Sequence, residues 1–387
     1  MKRAFLVEIN PTDAQKKKIQ QTIGVCRYVY NLYLSKVKEQ YDTDGKFLSG
    51  YDFSKWLNNV HTKEKDQWIK EVSSKAVKQA IMNGDKAFKN FFKGLSKFPR
   101  FKKKKNQDVK CYFPKNNKTD WTVERHRVKI PTLDWVRLKE FGYIPATANV
   151  KSGTVSYRAG RYYVSVLCEI EEKTLNSSIL LTSKGMGVDL GLKQFAICDD
   201  GTSFRNINKT EKVKKIIKKL KREQRSLSRK YETLKKRGEK TATKRANINK
   251  NVLRVQKLHR RLANIRAEYI KSVVLSLVKS KPAYIAIEDL NVSGMMKNRH
   301  LSKAVASQCF FLFNTWLKAK CLENGIELRQ VSRFYPSSKI CSCCGNKKTQ
   351  LKLSERTYHC ELCHTKLDRD INAAKNLLHA KEYTILT

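Results

Sequence analysis

Hydrophobic and polar positions recur with different periods along this chain, and the period predicts where helices and strands lie. Residues 1–10 fit a short strand, and the run that follows carries apolar residues at three- and four-residue steps, which is helical spacing. A second stretch with this spacing covers roughly residues 63–94. From about 109 to 171, proline and glycine separate short apolar runs, and Ala159-Gly160 joins two of them. This pattern predicts β-hairpins in a small barrel-like domain.

The second half of the chain alternates apolar strands with helical stretches. Two short apolar runs, at 185–191 and 194–198, precede two long and very basic helical stretches at about 211–236 and 243–280. A nearly continuous apolar run then ends at Glu288, as expected for a central parallel strand. A further helix and strand complete a β-α-β alternation, which predicts an α/β domain.

The charge of the chain points to a nucleic-acid partner. Its 387 residues include 81 Lys and Arg against 35 Asp and Glu, a net charge of +46. A folded chain of this charge repels itself unless a polyanion neutralises it. The charge runs through the whole sequence instead of one amphipathic helix, so nucleic acid is favoured over a membrane surface. No stretch approaches the ~18–20 apolar residues of a membrane-spanning helix, and the first residues lack the apolar core of a secretory signal.

The segment 98–105 combines aromatic residues with a run of cations. Such a combination suits a phosphate backbone with stacked bases, although a solvated loop explains the segment equally well. The candidate nucleic-acid contacts here are Arg100, Lys102, Lys103 and Lys104.

Cysteine spacing predicts a metal site. Five of the eleven cysteines lie within residues 341–363, and four of them form two pairs of the form C-x-x-C with fifteen residues between the pairs. Two such knuckles can supply four thiolates to one tetrahedral, structural zinc ion. Cys343 lies inside the first pair as a bystander, and His359 or His364 could replace a ligand. The predicted ligands are Cys341, Cys344, Cys360 and Cys363.

Three acidic residues stand in or beside apolar segments, where a lone carboxylate is costly to bury. Asp189 lies within an apolar run, Glu288 ends the central strand, and Asp370 follows the cysteine pairs. Carboxylates at strand ends are the hard oxygen ligands that magnesium prefers. Two such ions about 3.5–4 Å apart can hydrolyse a phosphodiester by activating water and stabilising the leaving oxygen.

Several motifs resemble the TnpB family, which are transposon-encoded RNA-guided DNA endonucleases related to the type V CRISPR effectors. They appear in the family's order and extend to weaker similarities near the N-terminus. The motifs are GVDLG at 187–191, IEDLN at 287–291, RFYPSSKICSCCG at 333–345, CELC at 360–363 and DRDINAAKN at 368–376.

The resemblance implies a multidomain α+β protein in which a helical recognition lobe interrupts a wedge-like β-barrel. An RNase H-like (RuvC) nuclease domain would follow, with a zinc ribbon inserted before its last acid. The implied boundaries are 1–10 and 109–178 for the barrel, 11–108 for the helical lobe, 179–334 and 367–387 for the nuclease domain, and 335–366 for the zinc ribbon.

The resemblance also implies the activity. Asp189, Glu288 and Asp370 would be the catalytic acids and the ligands of two magnesium ions, with Asp368 in support, and all three acids are present. A guide RNA encoded beside the gene would select double-stranded target DNA by base pairing, and the protein would recognise a short flanking DNA motif. We expect a monomer in the cytoplasm of a prokaryote, near the nucleoid and without a membrane partner.

Two other functions remain open from the sequence. One is a RuvC-type DNA nuclease that needs no guide. The other is a nucleic-acid-binding regulator that no longer cuts.

Overall fold

A computed structural model describes residues 2–103, 109–115, 117, 120–170, 181–237, 242–352 and 354–386. The chain divides into two compact units, Met1–Glu172 and Lys173–Thr387. None of the helices in these described ranges is long and apolar enough to cross a membrane. The finer division into four domains stays a prediction.

The first unit is built on a seven-stranded sheet in which every neighbouring pair of strands is antiparallel. Along the sheet the strands follow the order β2-β6-β7-β1-β5-β4-β3. The strands are β1 (Lys2–Asn10), β2 (Val109–Pro114), β3 (Thr122–Val123), β4 (Arg127–Ile130), β5 (Asp134–Leu138), β6 (Asn149–Arg158) and β7 (Arg161–Glu169).

The β6–β7 hairpin confirms the turn predicted at Ala159-Gly160. Both residues have positive φ, at 49° and 83°. This backbone has the twist that matches two flanking strands, and glycine adopts it without steric cost. Tyr157 and Tyr162 pair directly across the hairpin, with ring centroids 4.8 Å apart.

The closed barrel predicted for this unit is wrong. Within the described ranges the edge strands β2 and β3 are not bonded to each other, so the sheet is open. Local patterns predict strands and hairpins, but closure also requires a tilt and stagger that only long-range register sets. Here β3 has just two residues, which is too short a strand to continue the sheet around a barrel.

Helices occupy the segment between β1 and β2, so they interrupt the sheet's connectivity along the chain. They are α1 (Asp13–Asp44), α2 (Gly50–Trp56), α3 (Thr62–Glu64) and α4 (Ser74–Phe92), with a π-helical turn at Leu57–His61 and a 3₁₀ turn at Gln67–Glu71. Thr12 caps α1 in a reciprocal capping box with Gln15. Residues of α1 and α4, among them Ile19 and Ala80, complete the buried core of the sheet.

The single helix predicted over residues 63–94 is interrupted in the structure. Asp66 adopts a left-handed conformation, with φ of 53°, and breaks the segment before α4 begins. Its carboxylate accepts hydrogen bonds from the Tyr28 hydroxyl and the Trp68 indole. Apolar spacing continues across this break because both sides of it contribute to one core, and spacing alone therefore overestimates the length of the helix.

The second unit is built on a six-stranded mixed sheet in the order β10-β9-β8-β11-β12-β15. Its central strands β8, β11 and β12 are parallel, whereas the others pair antiparallel, which confirms an α/β unit. The strands are β8 (Met186–Leu190), β9 (Gln194–Cys198), β10 (Ser203–Arg205), β11 (Tyr284–Glu288), β12 (Glu327–Val331) and β15 (Tyr383–Ile385); a separate hairpin is formed by β13 (Thr357–His359) and β14 (Lys366–Asp368).

Six helices lie in the described residues of this unit, after a 3₁₀ turn at Ile207–Lys209. The first two are the basic stretches predicted from the sequence, and they pack on each other through apolar residues that include Ile216 and Val255. The helices are α5 (Glu211–Arg237), α6 (Ala242–Lys279), α7 (Val292–Lys297), α8 (Ser302–Gln308), α9 (Phe310–Asn324) and α10 (Arg369–Leu378).

Candidate nuclease and zinc sites

The parallel strands β8 and β11 bring two of the predicted acids side by side. Val188 pairs with Ile287 in the register of these strands. Asp189 and Glu288 are the next residue on each strand, so they lie at the same level of the sheet. Both strands run in the same direction, and the two carboxylates therefore share the edge of the sheet at which the strands end.

Helix α10 adds the third acid through a close contact that only glycine allows. A Cβ atom at Gly187 would lie 2.0 Å from the Ala374 carbonyl oxygen, so the helix backbone rests directly on this strand residue. Asp189 is two residues beyond Gly187 and projects from the same face of the strand. Asp370 is one helical turn before Ala374 on the same helix face. The contact thus directs Asp370 towards Asp189.

Asp368 fixes the beginning of this helix. Its carboxylate Oδ1 accepts hydrogen bonds from the backbone N–H groups of Asp370, at 2.8 Å, and Ile371, at 3.3 Å. These are two of the amide groups that the first turn of a helix leaves without a partner. Asp368 therefore caps the helix that carries Asp370, and its supporting role in the nuclease site stays a prediction.

Burial and neighbouring carboxylates raise the pKa values of two of these acids, Asp189 and Glu288. Desolvation, followed by the nearby carboxylates of Asp370 and Glu288, raises the pKa of Asp189 to about 8. Desolvation, and then the charge of Asp289, raises the pKa of Glu288. Clustered carboxylates with raised pKa values are unfavourable as anions until a cation neutralises them.

Two arginines stand beside acids in this region, one beside Asp289 and one beside Asp370. The guanidinium of Arg333 donates to the Asp289 carboxylate, with Nε 2.8 Å from Oδ2. Arg356 Nη1 lies 4.0 Å from Asp370 Oδ1. The acids nevertheless do not form a closed cation site in this structure, because in the described part of the chain only the four cysteines form a group close enough to hold an ion.

The four predicted cysteine ligands meet in one cluster, and all their sulfur atoms lie within 4.8 Å of one another. The sulfurs of Cys341 and Cys363 are 3.6 Å apart, and those of Cys344 and Cys360 are 3.5 Å apart. Zinc–sulfur bonds of about 2.3 Å in a tetrahedron require a sulfur–sulfur separation of roughly 3.8 Å. The arrangement therefore fits a zinc ion.

The residues around the cluster agree with this ligand set. Cys343 is exposed and outside the cluster, as predicted, and neither His359 nor His364 belongs to it. Hydrogen bonds from the Thr365 hydroxyl and backbone lower the pKa of the Cys363 thiol to about 6. A thiol with a lowered pKa is the better metal ligand, because the metal binds the thiolate.

Two asparagines that the sequence analysis did not identify connect this cluster to the acid-bearing helix. Asn372 is fully buried; its side chain accepts from the Ser342 N–H at 2.9 Å and donates to the Ile340 carbonyl at 2.7 Å. Asn376 donates to the carbonyls of Ser337 and Ile340. The first cysteine knuckle is thus fastened to the helix that carries Asp370. Their hydrogen-bond partners lie 30 to 39 residues earlier in the chain, so no local sequence pattern reports these contacts.

The basic segment of the first unit is only partly described. Arg100 and Lys103 are exposed, whereas Lys104 lies outside the described residues. The ammonium of Lys102 stands 3.7 Å from the centre of the Tyr30 ring, and its backbone exchanges two hydrogen bonds with the Asn31 side chain. Lys102 therefore anchors the segment to α1, and its role as a nucleic-acid contact stays a prediction.

Three protein families match separate parts of the chain. A helix-turn-helix domain matches residues 1–46, a probable transposase matches residues 165–299, and a Cas12f1-like TNB domain matches residues 310–377.

Two relatives that carry the name "Putative RNA-guided DNA endonuclease" are similar over nearly the whole chain. InsQ of Escherichia coli K12 is 30% identical over 98% of this chain and 93% of its own length. A protein of Streptomyces pristinaespiralis is 30% identical over 98% of this chain and 89% of its own length. The TnpB-like protein L79 of Acanthamoeba polyphaga mimivirus is 24% identical over 96% of this chain and 72% of its own length.

Two solved structures are also similar over most of the chain, at a level too low to assign the fold. CasPhi-2 (Cas12j) bound to crRNA has a TM-score of 0.46 and 8% identity, over 98% of this chain and 97% of that one. The mini-RNA-guided endonuclease CRISPR-Cas_phi3 has a TM-score of 0.45 and 10% identity, over 98% of this chain and 92% of that one.

Proposed function

This chain belongs to the TnpB family of RNA-guided DNA endonucleases, and we propose that it cleaves DNA at Asp189, Glu288 and Asp370 with a bound RNA selecting the target. The observation that carries the proposal is the convergence of these acids. Two come from neighbouring parallel strands and the third from a helix that packs on Gly187.

The acids would hold two magnesium ions, which supply charge neutralisation and an activated water for phosphodiester hydrolysis. The chain's own residues prepare this site. The neighbouring carboxylates and desolvation disfavour the ionised form of Asp189, so this side chain gains most from a bound cation. Asp368 holds the helix start at which Asp370 lies.

The charge of the second unit supports a nucleic-acid partner. Helices α5 and α6 carry 23 Lys and Arg against 4 Glu, a net charge of +19. Such a basic surface suits phosphate backbones without regard to sequence. We propose that it helps to hold a guide RNA or its duplex with target DNA, while base pairing selects the sequence.

The zinc ion would be structural. Four protein ligands leave no coordination position open for a substrate. We further propose the RNase H-like architecture and the four-domain division given above, a monomeric protein, and a location in the cytoplasm of a prokaryote.

The test begins with the RNA. The gene would be expressed together with the DNA downstream of it, and the RNA that co-purifies after a high-salt wash would be sequenced. We expect one defined RNA with a constant scaffold and a variable end. The complex should then cleave DNA that matches the variable end when magnesium is present.

Two variants test the acids in the same assay. Asp189→Asn should abolish cleavage and leave RNA and DNA binding intact. The matched control is Asp200→Asn, which removes the same charge from an exposed turn in the same unit and should cleave normally. Cleavage without a defined RNA would support an unguided nuclease, and cleavage by neither the wild type nor the control would support a regulator.

A further inference from the structure

The loop after β12 begins at the edge of the sheet where the acids lie. Val331 pairs with Glu288 in the parallel register of β12 and β11, and its carbonyl accepts the N–H of Asp289 at 2.9 Å. Residues 332–336 therefore leave the sheet beside Glu288. A strand of nucleic acid bound at Glu288 would therefore lie close to the start of this loop.

Phe334, in this loop, presents its ring to solvent. It is 87% exposed, more than any other large hydrophobic residue in the described ranges. A phenyl ring gains about 2 kcal/mol or more from burial. A ligand that covers this ring would recover part of the free energy that burial supplies.

The backbone on both sides of Phe334 is held in place. Before it, the Arg333 guanidinium donates to the Asp289 carboxylate. After it, Tyr335 packs against a buried cluster that includes Leu377, and its N–H donates to the Ser332 carbonyl at 3.0 Å. The N–H of Phe334 itself donates to the Ser332 hydroxyl at 3.3 Å. The ring thus projects from an anchored turn, which lowers the entropy lost when a ligand binds.

We propose that Phe334 is a stacking platform for a nucleobase of the single DNA strand that enters the nuclease site. The inference rests on the proposed function and adds a binding residue to it. Every base offers an aromatic face, so stacking tolerates any sequence, as a guided nuclease requires. The net charge of +46 favours a polyanion as the occupant over an apolar peptide.

Three substitutions separate ring stacking from apolar bulk. Phe334→Ala removes the ring, Phe334→Leu keeps apolar bulk without it, and Phe334→Trp retains an aromatic face. Loss of stacking on one base lowers the affinity for the strand by about 5- to 150-fold. Single-turnover cleavage by the guide complex should therefore slow by about that factor in the Ala and Leu variants and stay near wild type in Trp.

The matched control is Leu322→Ala. Leu322 is 56% exposed and lies near the end of α9, which leads into the start of β12 and so to the edge of the sheet opposite the strand ends that carry the acids. It should cleave at the wild-type rate. Equal loss in the control, or full activity in Phe334→Ala, would overturn the inference. Circular dichroism and melting of each variant confirm that it is folded.

A binding readout separates this inference from the proposed function. Single-stranded DNA with 5-iodouracil at successive positions would be cross-linked by light to the Asp189→Asn complex in buffer without magnesium, so that the readout does not depend on cleavage. Digestion with trypsin should place the adduct on the peptide 334–339. If the adduct forms on this peptide but the wild-type complex never cleaves DNA, the stacking platform is supported and the proposed nuclease function is rejected. Guided cleavage with adducts only elsewhere would retain the nuclease and reject the platform.

Discussion

Glu8, on the first strand, is a nearly buried carboxylate held between two cations. Its side chain is only 9% exposed and accepts hydrogen bonds from Lys139 at 2.6 Å and Arg161 at 2.8 Å. Burial alone would raise the pKa of Glu8. The two cations outweigh burial and hold the pKa below the ordinary value of 4.5.

We expect Glu8→Gln to destabilise the protein by about 1–3 kcal/mol at pH 7, the range for hydrogen bonds to charged groups. Since the folded-state pKa is lowered, the contribution of Glu8 is complete above the unfolded-state pKa and is lost as the pH falls through the lowered value. Urea unfolding at pH 7 and at progressively lower pH should show that the free energies of unfolding of wild type and Glu8→Gln become equal as the pH falls. Glu39→Gln, at an exposed pair with Lys36, serves as the control with little expected change.

At the candidate sites, the sequence identified residues that interrupt a local hydrophobic pattern. Asp189 and Glu288 stand out because burying an acid in an apolar strand costs free energy unless a partner compensates its charge. Asn372 and Asn376 did not stand out, because their function lies in hydrogen bonds to a loop about 30 residues earlier. No local pattern reports a contact of that kind.

At the scale of elements, the packing of α10 on β8 depends on one glycine. Gly187→Ala would place a Cβ 2.0 Å from the Ala374 carbonyl oxygen, so the helix must move away from the strand. We expect a loss of roughly 1–3 kcal/mol, as for other overpacked sites, together with a large loss of cleavage. Thermal melting and the cleavage assay measure the two effects.

The control is Gly24→Ala, in the middle of α1, where a Cβ would meet no atom within 4 Å. Alanine favours the helix there by up to about 1 kcal/mol, so this variant should be as stable as wild type or more stable. Equal tolerance of alanine at both positions would contradict the proposed close contact.

The cysteine knuckles give a prediction about metal content. Purified wild-type protein should contain about one zinc ion per chain, and Cys344→Ser should contain much less and give a lower soluble yield. Cys343→Ser changes the exposed neighbour outside the cluster and should keep its zinc. Equal zinc in both variants, measured by elemental analysis, would reject the ligand set.

Elements with strong local signals were predicted well, and those that depend on distant partners were not. The β6–β7 hairpin and the two basic helices follow from turn residues and helical spacing. The open edge of the seven-stranded sheet and the break at Asp66 arise from contacts between segments far apart in the chain. Periodicity carries no information about these contacts.

At the scale of the whole molecule, the net charge of +46 predicts steep salt dependence. A protein that contacts six to ten phosphates loses about 10³- to 10⁵-fold in affinity between 50 and 200 mM salt. We expect the affinity for guide RNA, measured by fluorescence anisotropy, to fall by at least this factor over the same salt range. A flat salt profile would show that the charge has little part in binding.

The two asparagines between the cysteine knuckle and α10 also have a thermodynamic consequence. A single helix carries one acid of the nuclease site and holds the loop that bears Cys341. Linkage is reciprocal, so a ligand of the acids that changes the affinity for zinc has its own affinity changed by zinc by the same factor. Zinc affinity, measured with a competing chelator, should therefore change when a ligand binds the acids.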